Sequence, residues 1–154
     1  MIKSRLLMKS KPLVVDKDLA TLIGLNEAIV LQQIEYWVNI KEEADNKNLK
    51  TIEQNYVNGA YWTYNTIDEW TEEFPFWSYD TVKRTLKSLR EKGVVYAEAL
   101  SEWGADRTLW YRPNHEKLIS LESELLEVKN SINLKNEKRK NNRKNYSKKS
   151  KFKA

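Results

Sequence analysis

The chain has 154 residues, of which 40% are hydrophobic, enough for one domain with a core and an extension. It contains no cysteine, which excludes disulfides and thiolate metal sites. Its net charge of +5 is unevenly distributed: residues 129–154 hold nine lysines and two arginines against one glutamate, whereas residues 1–128 hold 16 basic and 21 acidic residues. A basic tail on an acidic body requires its own explanation.

The first 15 residues contain only short apolar runs, broken by Lys9 and Lys11. They do not resemble a signal peptide, and no run in the chain approaches the roughly 20 apolar residues that cross a bilayer. We therefore expect no membrane association. The expected location is the cytoplasm, of a bacterium or of the host cell of a phage that encodes the protein.

Two helices are predicted in the first third of the chain. The first begins near Asp16 and ends at Gly24, a typical C-cap residue. The second spans residues 26–43 with Asn26 as its N-cap. Its apolar positions recur at helical spacing: Val30, Ile34, Trp37 and Val38.

A polar loop and a short β segment follow. Residues 44–55 are polar and rich in asparagine, which predicts a surface loop. Asn58-Gly59 is typical of a tight hairpin turn, and residues 61–64 are aromatic and β-branched, which favours a strand.

Two closely spaced helices come next. Thr66 caps a helix that reaches residue 74 and is ended by Pro75, and Ser78 caps a helix that reaches residue 92. The second of these divides into two faces. Its apolar stripe consists of Val82, Leu86 and Leu89, and its other face carries Lys83, Arg84, Lys87 and Arg90.

After Gly93, strands are predicted at residues 94–100 and 108–112, with a polar turn at 101–106 between them. A last helix starts near Asn114. Its apolar residues are spaced 3, 4, 3 and 4 apart: Leu118, Leu121, Leu125, Val128 and Ile132. This heptad spacing covers barely two heptads, so the helix either forms a homodimer through Leu118, Leu121, Leu125 and Val128 or packs back on the domain.

The order helix, strand, helix, tight turn, helix, strand, turn, strand predicts a mainly α fold with a small β-hairpin wing, the winged helix-turn-helix. The expected divisions are a winged-helix DNA-binding domain over residues 1–113, a C-terminal helix over 114–133 and a disordered basic tail over 134–154. The major groove of B-DNA admits one α-helix, and the helix at residues 78–92 has the required cationic outer face. The candidate DNA-binding residues are Ser78, Tyr79, Thr81, Lys83, Arg84, Lys87, Arg90 and Arg107.

Simpler interpretations exist for several of these features. A helix with basic residues on its outer face is often only solvated. Arg107 either contacts phosphate or pairs with Asp106, and Trp103 contacts DNA sugar, packs on the wing or meets a partner. The tail serves solubility, or its net +10 gives non-specific DNA affinity that depends steeply on salt.

An enzyme is the least favoured interpretation. The only histidine, His115, starts the last helix, where a surface role is expected. The paired acids along the chain are expected on solvated helix faces, and no histidine and carboxylate cluster has metal-site spacing. The sequence therefore predicts no catalytic residues, no metal and no cofactor.

Four segments resemble the N-terminal winged-helix domain of replication proteins from phages and plasmids of Gram-positive bacteria, the replisome organisers and DnaD-like initiators. They are GLNEAIVLQQIEYW (residues 24–37), YWTYN (61–65), FPFWS (74–78) and DRTLWY (106–111), and the resemblance covers residues 12–118. It implies binding to origin DNA and contact with host replication proteins. Larger family members continue into a second domain, whereas a short helix and a basic tail follow here, so DNA binding is the safer inference. A small transcriptional or plasmid-maintenance regulator of the same fold is the alternative.

Overall fold

The computed structural model describes Ile2 and residues 4–7, 12–47 and 55–151. Most of the predicted loop at residues 44–55 and the last three residues of the predicted tail lie outside these ranges. Within these ranges the protein is mainly helical, with five α-helices after a short 3-10 turn at Arg5–Leu7. The helices are α1 (Lys17–Ile23), α2 (Leu25–Asn46), α3 (Ile67–Glu73), α4 (Tyr79–Glu91) and α5 (His115–Lys151).

The strands of the described ranges form two small antiparallel sheets. They are β1 (Tyr56–Val57), β2 (Ala60–Tyr61), β3 (Thr63–Tyr64), β4 (Val95–Glu98) and β5 (Trp110–Pro113). One sheet is the β1–β2 hairpin, and the other has the order β3-β5-β4, so that β5 is its central strand. In the second sheet, Tyr111 of the central strand β5 lies between two partners. Thr63 of β3 is opposite it on one side, and Ala97 of β4 is opposite it on the other.

The junction between the first two helices corrects one prediction. Asp16 caps α1 by accepting a hydrogen bond from the Leu19 N–H at 2.9 Å, and Gly24 ends the helix as predicted. Asn26, however, is not the N-cap of α2, because α2 begins directly at Leu25 and Gly24 serves both helices. A φ of 103° at Gly24 lies where side chains are disfavoured, which allows the chain to turn within a single residue.

The hairpin turn is confirmed, whereas the strand after it is interrupted. Asn58 and Gly59 both have positive φ, 53° and 78°, as a type I′ turn requires. The predicted strand at residues 61–64 divides at Trp62, whose side chain is buried and whose indole N–H donates to the Val57 carbonyl at 3.0 Å. Residues before Trp62 pair with β1, and those after it pair with β5.

The core lies between α2, α3, α4 and the three-stranded sheet. Its largest fully buried side chains include Trp70 and Phe74 from the α3 region, Leu86 from α4 and Tyr111 from β5. The rings of Trp70 and Tyr111 meet edge to face with centroids 6.3 Å apart, a favourable geometry for aromatic pairs. Aromatic residues therefore fill much of the core.

α5 begins as predicted but continues further than predicted. The Asn114 side chain accepts a hydrogen bond from the Lys117 N–H at 3.1 Å, which caps the helix. The prediction of a disordered tail is corrected for residues 134–151, which are helical. Neither glycine nor proline occurs after Pro113, and lysine, arginine and glutamate favour the helix even where nothing is buried.

The chain divides into two compact units, residues 1–117 and residues 118–154. The first unit contains every strand and every buried residue in the part of the chain that the structure describes. The second consists of the greater part of α5, in which no residue is buried. Among the helices that the structure describes, none combines the length and apolar character needed to cross a membrane.

Candidate nucleic-acid interface

The first turn of α4 uses two predicted DNA-binding hydroxyls to hold the helix end. Ser78 Oγ accepts a hydrogen bond from the Thr81 N–H at 3.2 Å, and the two hydroxyl oxygens lie 3.0 Å apart. This is the N-cap arrangement expected from the sequence. Tyr79 remains 44% exposed. The end of α4 therefore presents the Tyr79 ring outward, while Ser78 and Thr81 stabilise the helix.

Three cationic side chains of α4 form one exposed surface, here called the basic face: Lys83, Arg84 and Lys87. Together with Asp80 they line an open groove. Arg84 Nε donates to the Asp80 carbonyl at 3.4 Å, and Lys87 Nζ lies 3.7 Å from Glu91 Oε1. The Lys87–Glu91 side chains are about two-thirds exposed (66% and 65%), so their attraction contributes only about 0–1 kcal/mol and competes weakly with a phosphate.

The opposite face of α4 is buried and bonded to α2. Val82, Leu86 and Leu89 are inaccessible to solvent. Two polar residues, one in α4 and one directly after it, reach Glu27 of α2: Ser88 Oγ donates to Glu27 Oε1 at 2.7 Å, and Lys92 Nζ lies 3.4 Å from the same oxygen. These bonds fix the rotation of α4 about its own axis, so the direction in which the basic face points is determined by the fold.

The surroundings of Glu27 favour the ionised form of its carboxyl and lower its pKa. Partial burial alone would raise its pKa, but hydrogen bonds from Ser88 and from its own backbone, together with the charge of Lys92, lower the pKa below its ordinary value. Lys92 Nζ also donates to the Ile23 carbonyl at 2.7 Å. Lys92 is therefore a structural cation that joins α4 to the end of α1.

Arg90 differs from the other basic residues of α4. Its side chain is half-buried, and Nη1 donates to the Tyr111 hydroxyl of β5 at 2.8 Å. This places Arg90 between α4 and the sheet rather than on the basic face. There it lines a cleft of about 430 Å³ that also contains Lys83 of α4 and Arg107 of the β4–β5 loop. The other lining residues are Asn65, Thr66, Ile67, Thr108, Leu109 and Tyr111.

The β4–β5 loop, residues 99–109, is held by Asp106. The Asp106 carboxylate accepts hydrogen bonds from the Tyr64 hydroxyl at 3.0 Å and from the Thr108 N–H at 2.9 Å. The bonds from Thr108 are the main reason that the pKa of Asp106 is lowered. Because Asp106 is occupied in this way, it does not pair with Arg107, and Arg107 has no ion-pair partner within the described part of the chain.

The same loop presents a large aromatic residue to solvent. Trp103 is 73% exposed, and the Asp106 N–H donates to its carbonyl at 2.9 Å. Packing on the wing was one of the three roles predicted for Trp103. The exposure of the ring rules that role out. Trp103 is part of the surface of the loop and not of the core.

The basic segment of α5 is organised differently from the basic face. Residues 133–151 hold seven lysines and two arginines against one glutamate, a net charge of +8, and every one of these side chains is exposed. On a helix of 3.6 residues per turn they project in all directions. The segment offers dense positive charge without a fixed arrangement of hydrogen-bond donors toward one side.

Comparisons with protein-family models, with curated proteins and with solved structures return no match for this chain.

Sequence reasoning located the basic face but not its supports. It did not predict that Glu27 would bind Ser88 and Lys92, that Arg90 would turn to Tyr111, or that Asp106 would hold the loop through Tyr64. Each of these contacts joins residues that are 21 to 65 positions apart in the sequence. The bond between Asp106 and Thr108, by contrast, is local. Only one local signal was available: an aspartate followed two residues later by threonine, which is typical of a side-chain turn.

Proposed function

We propose that this protein binds double-stranded DNA as a winged helix, with α3 and α4 as the helix-turn-helix and the β4–β5 hairpin as the wing. Two features of the fold support the proposal. The elements follow the order α2, β3, α3, α4, β4, β5, and the sheet order is β3-β5-β4. In winged helices the second helix of the pair enters the major groove, which corresponds to α4 here.

One observation carries the proposal: a basic face on a helix whose other face is buried and anchored. Lys83, Arg84 and Lys87 are exposed, while Val82, Leu86 and Leu89 are fully buried. A reading helix must hold its side chains in fixed positions relative to base edges, because direct readout depends on hydrogen-bond geometry. The bonds of Glu27 to α4 supply that rigidity.

The cleft between α4 and the wing extends the proposed DNA-binding surface. Lys83, Arg90 and Arg107 come from two separate elements and line the same cleft. Cations that converge from a helix and a loop suit the phosphates beside a groove, where they position a protein without reading sequence. We assign Arg107 to phosphate and the basic face to base edges and flanking phosphates.

Helix α3 limits where the DNA lies. Its residues include Asp68, Glu69, Glu72 and Glu73 and no basic residue. Glu69 accepts the Thr66 N–H at 2.7 Å in a capping box, which gives this acid a structural role. The negative charge of α3 repels phosphate, so the duplex contacts α4 and the wing.

The biological role that we propose is replication initiation of a phage or plasmid, and it rests on the resemblance of residues 12–118 to replication proteins. A second candidate, a transcriptional or plasmid-maintenance regulator, is favoured by the heptad-spaced stripe of α5, since regulators commonly bind palindromic operators as dimers. Footprints over iterated sites at an origin support the first role. Protection confined to a palindrome within a promoter supports the second.

The test of DNA binding compares two double variants with equal loss of charge. Lys83→Ala/Lys87→Ala removes two lysines from the basic face, and Lys17→Ala/Lys47→Ala removes two exposed lysines from α1 and the end of α2. Fluorescence anisotropy with a labelled duplex is measured over a range of salt concentrations. If both lysines of the basic face contact phosphates, their loss lowers the slope of log K against log salt by about 1.8.

The control pair is expected to leave that slope close to the wild-type value. Equal slopes for the two variants would show that the basic face is only solvated. Any change in the salt slope would then reflect the net charge of the protein alone, and the proposal would be withdrawn.

A further inference from the structure

The apolar stripe of α5 has the geometry of a coiled-coil seam. Leu118, Leu121, Leu125, Val128 and Ile132 occupy successive a and d positions of a heptad, and none of them is buried in the monomer. The helix begins at His115, just before the stripe, and continues to Lys151, well past it, so all five residues lie on regular backbone. The a positions hold Leu118, Leu125 and Ile132, and the d positions hold Leu121 and Val128, so both seam positions carry only the large aliphatic residues that associating helices bury.

The residues that flank the stripe indicate which partner it fits. With Leu118 at position a, Lys117 and Glu124 fall at g, while Glu122 and Lys129 fall at e. In a parallel two-stranded coiled coil, each g residue faces the e residue five positions later on the other helix. For two copies of this chain, Lys117 then faces Glu122, and Glu124 faces Lys129. Two-fold symmetry repeats both attractions.

We propose that residues 117–132 of α5 form a parallel, in-register coiled coil with a second copy of this chain. The charges disfavour the antiparallel arrangement. An antiparallel alignment that joins Leu118 to Val128 and Leu121 to Leu125 leaves Ile132 unmatched. It also sets Glu122 beside Glu122 and Glu124 beside Glu124, where like charges repel.

A parallel dimer has a consequence for the basic segment that follows. It places two copies of residues 133–151, each with a net charge of +8, side by side. Their mutual repulsion opposes association at low salt. The dimer is therefore measured at about 0.3 M salt, where the Debye length is shorter than about 8 Å and this repulsion is screened.

The first experiment exchanges charges across the seam of the full-length chain without DNA. Glu124→Lys places a lysine opposite Lys129 in both symmetric pairs, and sedimentation equilibrium from about 1 to about 300 µM measures the dimer dissociation constant. Two attractions become two repulsions, so the constant rises on the order of tenfold. The double variant Glu124→Lys/Lys129→Glu restores attraction and returns the constant to the wild-type value.

Two results would overturn the proposal here. One is a wild-type chain that remains monomeric throughout this range. The other is a dimer whose dissociation constant is unchanged by Glu124→Lys or not restored by the double variant. Far-UV circular dichroism confirms that each variant keeps α5 helical, and the fluorescence of the six tryptophans, all within residues 37–110, confirms that the first unit is folded.

The second experiment determines the direction of the helices. The natural chain has no cysteine, so Leu121→Cys and Leu126→Cys each introduce a single thiol. In the parallel dimer, position 121 faces its own copy and forms a disulfide on mild oxidation. Position 126, which is 66% exposed, points away from the seam and does not. A missing crosslink at position 121, or equal crosslinking at both, contradicts the proposal. DNA is absent from both experiments, so failure of DNA binding leaves their outcome unchanged.

Discussion

Helices α4 and α5 are both basic, but α4 is packed into the core and α5 is not. α4 has a capped first turn, a fully buried inner face and bonds to Glu27 that fix its rotation. α5 buries no residue, and its basic segment carries charge in every direction. If α4 reads sequence and α5 only attracts phosphate, as proposed, the number of positive charges does not distinguish the two surfaces. What distinguishes them is how firmly the backbone is held behind the charges.

On the proposed function, the two helices divide the work of binding. The rigid basic face of α4 supplies selectivity, because base recognition needs fixed donors. The basic segment of α5 supplies much of the salt-dependent affinity, because counterion release depends on charge and not on detailed geometry.

The largest effect is expected from the buried face of α4. Leu86→Ala removes a fully buried side chain and is predicted to lower the free energy of unfolding by about 2–5 kcal/mol. The matched change in α5, Leu126→Ala, affects a side chain that is 66% exposed and is predicted to cost less than about 0.5 kcal/mol. Urea denaturation followed by tryptophan fluorescence measures both. Similar losses would show that α5 contributes to the cooperative core.

Deletion of residues 133–154 is predicted to have the next largest effect. It removes eight lysines, two arginines and one glutamate. If about half of the ten cations contact phosphates, the salt slope falls by about 4.5 and non-specific affinity at physiological salt falls on the order of 1,000-fold. The ratio of specific to non-specific affinity is expected to stay the same or rise. A deletion that abolished selectivity would contradict the division between the helices.

Glu27→Gln is predicted to loosen α4 while leaving the basic face chemically intact. Loss of the charged partner of Ser88 and Lys92 costs about 1–2 kcal/mol of unfolding free energy. Since the pKa of Glu27 is lowered in the folded state, its contribution is present above its ordinary value of 4.5 and is lost as pH falls below that value. Urea denaturation at several pH values should therefore show a smaller loss of stability below pH 4.5 in the variant. An exposed control, Glu43→Gln, should follow the wild type.

The smallest effect is expected at the wing. Arg107→Ala removes one proposed phosphate contact, so the salt slope falls by about 0.9 and affinity at physiological salt falls about fivefold. The loop keeps its conformation because Asp106 is bonded to Tyr64 and Thr108 rather than to Arg107. Anisotropy titrations beside the control Lys17→Ala test this. Equal affinities for the two variants would remove Arg107 from the interface.

The sequence predicted well those features that depend on neighbouring residues. The caps at Thr66 and Ser78, the end of α1 at Gly24, the Asn58-Gly59 turn and the two faces of α4 all follow from local hydrogen bonding and helical periodicity. Features that depend on distant partners were missed. Periodicity places Arg90 on the polar side of α4, but only the nearby Tyr111 hydroxyl explains why its guanidinium turns to the sheet.

The basic tail was mispredicted for a different physical reason. The expectation of disorder rested on the lack of apolar residues to bury after Asn133. A helix, however, satisfies its backbone hydrogen bonds internally, and residues 134–151 contain helix-favouring lysine and arginine without glycine or proline. Lysines in the last turn also interact favourably with the negative end of the helix dipole.

Selection from a pool of randomised duplexes tests the division between α4 and α5 most directly. It is carried out with the full-length protein and with the variant Lys83→Ala/Arg84→Ala/Lys87→Ala, at a salt concentration where both bind. The account predicts that the wild type recovers one defined motif, whereas the variant retains salt-sensitive binding and recovers none. Recovery of the same motif by the variant would contradict the assignment of sequence selectivity to the basic face of α4.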